Sequence, residues 1–411
     1  MVAFTTFSGG EMMPLRWLML MVLFLVRLAM GYQFQSVASV STHLVADLGL
    51  SYTQVGTLIG FFLLPGIFIA IPSGALTRTV TDKNLLMIGA LTMIVGALVM
   101  ATADGVASLY TGRLITGIGG TIFNVILTKM VTDWFIQHEI VTALAVMLTA
   151  WPIGLSLGLL TQGDLADAHG WSWAMHATGI VAFVALILTA TLYREPPGLE
   201  RVPDQPLRFG LPPRQFVHIS IVGFGWTLYN AAFIIFVSFT PDVLIDHGYE
   251  PSIARSITSL AMWAMLISIP FGGRVLEVFG WITVSIVVTL SMAAVAMAAV
   301  SQGIAPEVLC VAFGVIAGIP AGALMALSVQ ALSADNRGPG LGIFYTWYYA
   351  GMTVGPVLAG WTRDVSGSAA APVILGAALL GGVILSVGVL RLLQATWPIE
   401  TERSPARSVA H

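Results

Sequence analysis

Long stretches of this chain carry no charged side chain at all, and nothing else in it constrains the fold so tightly. Residues 140–163, 168–193, 215–241, 278–306, 308–334, 338–362 and 365–390 are all free of Asp, Glu, Lys and Arg. Each exceeds the roughly 20 apolar residues that carry a helix across a bilayer. Backbone polar groups in lipid have no water to bond, so a spanning segment must be a helix or part of a closed barrel. Runs of this length favour helices. With the more broken segments before residue 140, the sequence predicts an all-α integral membrane protein of twelve transmembrane helices. They fall near 15–40, 54–76, 85–103, 108–130, 141–163, 173–193, 216–239, 254–273, 282–301, 307–332, 339–361 and 371–393.

Composition agrees. The chain is 57% hydrophobic and 9% charged over 411 residues, against about 25% charged in soluble domains. So few charges suffice only if most of the surface meets lipid. A net charge of -3 gives no reason to expect a nucleic-acid partner. The single cysteine, Cys310, excludes an internal disulfide, and no ligand cluster suggests a metal. No cofactor is expected, and no nucleophile–base pair or phosphate loop suggests an enzyme. The apolar stretch after Arg16 is read as a retained first helix rather than a signal peptide, because it has no small-residue cleavage site after a short core.

Basic residues set the expected orientation. Placing the N-terminus, the even-numbered loops and the C-terminus on one side puts thirteen Lys and Arg there, leaving Arg255 and Arg363 opposite. The positive-inside rule makes that side, with both termini, cytoplasmic. Arginine-rich usage, fifteen Arg to two Lys, points to a bacterial inner membrane.

The chain also repeats itself. Gly154, Gly158, Gly163, Asp167 and Gly170 match Gly351, Gly355, Gly360, Asp364 and Gly367, each pair 197 residues apart. Gly74 and Gly273 differ by 199, and Gly117 and Gly318 by 201. Such an offset indicates two parallel six-helix repeats with a binding site between them. The halves are 1–193 and 216–393, joined by a proline- and charge-rich linker at 194–215 and followed by a tail at 394–411.

These features resemble the major facilitator superfamily over nearly the whole chain. The loop after helix 2 keeps Gly74, Leu76 and Lys83 of that family's G-x-L-x-D-R-x-G-R-K pattern but has Arg78 where the acid belongs. The second copy keeps Gly273, Glu277 and Gly280. The helix 4 pattern R-x-x-x-G-x-G matches as Arg113, Gly117 and Gly119. The resemblance implies alternating access. It assigns gating or structural roles to Arg113, Gly74, Arg78, Gly273 and Glu277, and to Gly154 and Gly351 in helices 5 and 11.

Two arginines lie inside predicted spans, and every acid falls at a helix end, in a loop or in a tail. Arg27 sits eleven residues past Arg16, roughly 16 Å into a core of about 30 Å. A charge there costs about 2.5–3.5 kcal/mol on insertion scales, so it needs a compensating partner. A guanidinium presents a planar fork suited to carboxylates and similar oxyanions. Arg27 is therefore expected to contact an anionic solute, the alternative being hydrogen bonds to loosened backbone. Gln35, Asn124, Trp151, Trp226, Tyr229, Asn230, Tyr345 and Tyr348 are the further candidates for the cavity wall. The 199 offset puts Trp226 where helix 1 has Arg27, which suggests a cationic N-half wall facing an aromatic C-half wall. Packing alone would also explain aromatics at helical spacing.

The expectation is a monomeric secondary transporter for a small anion, a carboxylate or small inorganic oxyanion, with a proton as a candidate co-transported ion. Alternatives are an exporter of amphipathic compounds and a non-transporting receptor or assembly factor.

Overall fold

The computed structural model describes residues 9–69, 80–135, 139–196, 211–279, 281–333 and 336–398. Within them the chain is helical. The N-terminal half contains α1 (Gly9–Ser39), α2 (Ser41–Leu48), α3 (Tyr52–Phe61), α4 (Asp82–Ala101), α5 (Val106–Trp134), α6 (Ile140–His169) and α7 (Trp171–Thr191). The C-terminal half contains α8 (Pro213–Asp246), α9 (Pro251–Phe279), α10 (Ile282–Val300), α11 (Pro306–Gly318), α12 (Ala321–Gln330), α13 (Arg337–Ser366) and α14 (Ala370–Thr396).

Eleven spans are long and apolar enough to cross a membrane. The twelfth crossing is α13, which has 30 residues; its tyrosines, glycines and prolines make it less apolar than the rest. Two crossings break where a proline falls. Pro65 and Pro320 each lack an N–H and crowd the carbonyl four residues back, so α3 ends at Phe61 and resumes over 64–69, and α11 and α12 are separated at Ile319–Pro320. Pro152, Pro241, Pro270 and Pro356 sit inside continuous helices. The short α2, between the first two crossings, was not expected from the sequence.

Packing repeats between the halves. In the first, α1 lies on α6, and α4 on α5 and α7; in the second, α8 lies on α13 and α14, and α9 on α11. The two largest contacts between the halves are α13 against α3 and α9 against α6; α1 also touches α8. The most apolar 18-residue window of α8 is 78% buried and that of α10 only 28%, so α8 is central and α10 peripheral. Large apolar side chains that stay exposed, such as Phe183 and Ile187 on α7, Val288 and Val295 on α10 and Leu385 and Leu392 on α14, form the lipid-facing belt.

The repeat glycines show why the offset exists. A Cβ on Gly154 would collide with the Leu28 carbonyl and the Tyr32 amide of α1, and one on Gly351 with Thr227 of α8. Gly158 and Gly355 sit one turn further along the same contacts, against Gln35 and Ala231. Each half thus uses two glycines to bring its fifth crossing against its first.

Candidate functional site

The middle of the bundle holds one chain of contacts that joins the halves. On α8, the Trp226 ring stacks on Phe344 of α13 at 6.1 Å. From there, rings follow along α13: Phe344 to Tyr345 at 5.4 Å, Tyr345 to Tyr348 at 6.3 Å, and Tyr348 to Tyr349 at 5.3 Å. Asn124 of α5 donates from Nδ2 to the Tyr349 hydroxyl at 2.9 Å. The other end of that amide, Oδ1, accepts a long 3.4 Å bond from Nη1 of Arg27. A ladder of rings in one half therefore ends on an amide and a guanidinium in the other.

Arg27 is only 8% exposed, and its Nε is buried without a partner. Among the described residues no carboxylate pairs with it. Tyr345, Tyr348 and Tyr349 lie within electrostatic reach of its charge. Tyr349, next to the candidate Tyr348, links the two halves here through its bond to Asn124. It packs against Gly66, where any side chain would strike its ring.

The remaining candidates divide. Gln35, two turns beyond Arg27, is wholly buried with neither amide atom bonded. Trp151 is half-buried, with its ring 5.2 Å from Phe34 in its own half. The structure does not bring the Tyr229 hydroxyl to this group: Tyr229 is buried and donates to the Ala317 carbonyl at 2.8 Å. The Asn230 amide donates back to the Trp226 carbonyl. Gly74 and Arg78, the surroundings of Gly273 and the side chain of Glu277 lie outside what the structure describes.

Arg113 shows how a membrane arginine is satisfied without an acid. It is completely buried. Its Nε donates to Leu58 O at 2.9 Å, Nη1 to Gln33 O at 3.0 Å and to Ser36 Oγ at 3.3 Å, and Nη2 to Phe34 O at 2.6 Å. Leu58 is in the last turn of α3, whose carbonyls have no intrahelical partner. The guanidinium also lies 4.8 Å from the Phe62 ring centroid. Gly117 lets α5 approach the Phe62 carbonyl, and Gly119 lets it approach Gly89 of α4. The helix 4 pattern is thus a knot tying α1, α3, α4 and α5.

Away from the chain termini, at the far end of the bundle, polar seams close the two largest inter-half contacts. Where α6 meets α9, Arg255 Nη2 donates to Asp164 Oδ1 and Asp167 Oδ2, both at 2.6 Å, and His43 approaches Asp167 at 3.0 Å. Where α13 meets α3, Asp364 accepts from the backbone N–H groups of Tyr52 at 2.9 Å and Thr53 at 2.7 Å, and from the Thr53 hydroxyl at 2.5 Å. Arg363 adds a bond to the Tyr52 hydroxyl at 2.8 Å and one to Asp242 at 2.7 Å. Gly163 faces Arg255, and Gly360 faces the Tyr52 carbonyl. Sequence reasoning had counted Arg255 and Arg363 only as charges. The pairing of Asp167 with Asp364 at the repeat offset was the available signal.

Comparison with known proteins fits this architecture. A solved bacterial homolog of the human lysosomal transporter Spinster, in an inward-facing and unoccupied conformation, superposes with a TM-score of 0.67 at 14% identity, covering 92% of this chain and 95% of that one. Curated relatives are more partial. The glucose transporter GlcP of Staphylococcus epidermidis is 28% identical over 40% of this chain and 36% of its own length. An uncharacterized MFS-type transporter of Mycobacterium tuberculosis is 26% identical over 48% of this chain and 32% of its own. The Bacillus subtilis hexuronate transporter is 22% identical over 60% of this chain and 61% of its own. The aligned parts thus span about a third of the first two and three-fifths of the third. The model of the Major Facilitator Superfamily matches residues 21–250, more than half of the chain, and with the two-repeat helical architecture it makes this protein a member of that superfamily.

Proposed function

We propose that the protein is a secondary transporter that carries a small anion by alternating access, with Arg27 as the counter-charge for the solute. One observation carries the reading: a guanidinium within the first crossing, 8% exposed, whose one hydrogen bond among the described residues is a 3.4 Å contact to an amide oxygen. Arg113 answers its own charge with three backbone carbonyls; Arg27 keeps its fork for a partner that is not part of the protein. Hydrogen bonds to charged groups contribute about 1.5–3 kcal/mol net. That is enough for a bound oxyanion to offset much of the cost of the buried charge.

The orientation that puts both termini in the cytoplasm of a bacterial inner membrane makes the far end external. The closed far-end seams then correspond to a carrier whose external side is shut. Among the described residues, no hydrogen bond or ion pair joins the halves at the terminus end. An organic anion is in keeping with the hexuronate transporter among the relatives, and the glucose transporter keeps a neutral sugar in view as the rival solute.

The test is Arg27→Gln, which keeps a donor and removes the charge. Solute binding should weaken roughly 10- to 100-fold, at 1.4 kcal/mol per tenfold. Arg27→Lys should recover part of the loss, because a point charge cannot reproduce the two-pronged geometry. Unchanged affinity in a well-folded Arg27→Gln would make the residue structural. Counterflow of labelled solute in proteoliposomes separates a carrier from a non-transporting receptor.

A further inference from the structure

We infer that the solute is a monoanion: one carboxylate, held by Arg27, on an uncharged body that reaches the tyrosines of α13. This rests on the anion reading above and narrows it to a charge and a shape.

The argument is a charge census of the bundle's middle. Among the described residues only Arg27 and Arg113 place a cation there. Arg113 has committed Nε, Nη1 and Nη2 to Leu58, Gln33 and Phe34 carbonyls and to Ser36, and it is completely buried. Four of its five N–H groups are bonded, and complete burial keeps the fifth from a ligand. The other described Lys, Arg and His side chains belong to the ends of the helices. The site therefore neutralises one negative charge. A second carboxylate on the same solute would enter the low-dielectric middle uncompensated. Insertion scales set the cost of such a charge at a level that corresponds to roughly 100-fold in affinity.

The body of the solute is read from the wall opposite. Tyr349 has its hydroxyl engaged by Asn124. Tyr345 and Tyr348 make ring contacts only, so their hydroxyls make no hydrogen bond among the described residues and are free to bond a ligand. The wall thus combines ring faces with neutral donors and acceptors and holds no charge. An anion the size of nitrate or acetate would meet Arg27 and leave the tyrosines idle. A longer monocarboxylate with hydroxyl groups would engage both.

Three compounds on one six-carbon skeleton isolate the charge: glucose, glucuronate and glucarate carry none, one and two carboxylates. Benzamide, benzoate and terephthalate repeat the series on an aromatic body, and acetate and nitrate supply the charge without a body. Binding to the purified full-length protein is read by calorimetry and by thermal stabilisation. The expected result is that a monoanion of at least one series binds tightest, roughly 100-fold more tightly than its dianion and well above acetate and nitrate. Tyr348→Phe, which keeps the ring, should then weaken that monoanion several-fold and leave acetate unchanged. A dianion binding as tightly as its monoanion overturns the inference and leaves the anion reading standing. A neutral compound binding as tightly as its monoanion, with no loss in Arg27→Gln, overturns both. Acetate or nitrate matching the longer monoanions overturns the bridging body, and silence from every compound counts against the monoanion as well. Should Arg27→Gln fail to fold, the selectivity series and Tyr348→Phe on the native background still decide.

Discussion

The two far-end seams occupy equivalent places in the repeat and are built from different chemistry. Asp167 and Asp364 are 197 residues apart, and each reaches from the end of its own half's fifth crossing to the second crossing of the opposite half. At α6 and α9 the aspartate shares one buried arginine, Arg255, with a second acid, Asp164. At α13 and α3 the aspartate caps backbone: it takes the first N–H groups of α3, which a helix leaves unpartnered and which carry the positive end of its dipole. The backbone approach differs as well. At α3 the glycines Gly56 and Gly60 face the Pro356 and Thr353 carbonyls, whereas Gly163 faces the Arg255 side chain. Duplication preserved where the halves meet, and the residues opposite decided how. One seam is fixed by rigid main chain and the other by a flexible side chain with two exchangeable partners.

The largest effect should come from crowding the rigid seam. Gly60→Val places new atoms against the Thr353 backbone, which cannot move without shifting α13. Overpacking of this kind costs about 1–3 kcal/mol, a shift of roughly 5- to 150-fold toward an open far end. Gly163→Ala meets a guanidinium that can swing aside and should shift the balance far less. A cysteine placed at Thr57, with Cys310 replaced by serine, would report opening through labelling by an impermeant thiol reagent. Equal labelling in the two variants would remove the distinction between the seams.

Next in size is the charge on the caps. Asp364→Asn keeps one acceptor where the carboxylate used two oxygens for three donors. The group is exposed, so the loss should be about 1 kcal/mol, seen as several-fold faster labelling at Thr57. Asp167→Asn leaves Asp164 on Arg255 and should change labelling less than twofold. A larger effect from Asp167→Asn than from Asp364→Asn would reverse the comparison.

Acid should separate the seams too. Desolvation works to raise the Asp364 carboxyl, but hydrogen bonds from the Thr53 side chain, the Thr53 and Tyr52 amides and Ser51 together hold it below its ordinary value. Tyr52, Arg363 and Asp242 are the other titratable groups around it. The closed seam thus binds fewer protons than the open one. Its contribution is fully present above the ordinary aspartate value near 3.9 and is lost as pH falls through the depressed one. Labelling at Thr57 should rise below about pH 4, and Asp364→Asn should flatten that rise.

Much of this was legible in the sequence, and what was not has a physical reason. Apolar runs placed the crossings, because lipid admits so few backbone solutions. The glycine offset placed the repeat, because close helix contact tolerates so few residues. The isolation of Arg27 followed from the absence of acids in the spans. The role of Tyr349 was not legible, because its partner Asn124 lies 225 residues away and nothing in either residue type names the other. Nor were the partners of Arg113 and Asp364, because both bind main chain, which every residue carries alike. Acids at helix ends looked idle for the same reason: their use depends on which helix end of the opposite half they meet.

Salt offers the smallest and most specific distinction. Arg255 is buried, yet its partners Asp164 and Asp167 have side chains 58% and 42% exposed, so water and counterions reach the acidic side of the pair. Exposed ion pairs contribute about 0–1 kcal/mol, and the screening length falls from about 10 Å at 0.1 M salt to about 3 Å at 1 M. The α6–α9 seam should therefore loosen with salt by a few tenths of a kcal/mol, less than a twofold change in labelling at Ser256, which follows Arg255 on α9. The α3–α13 seam depends on direct hydrogen bonds to helix amides and on backbone contact at glycine, so labelling at Thr57 should stay flat over the same range. Arg255→Gln should abolish the salt response at Ser256. If both reporters respond equally to salt, the seams share one electrostatic latch, and the difference drawn from Arg255 and Asp364 is geometric only.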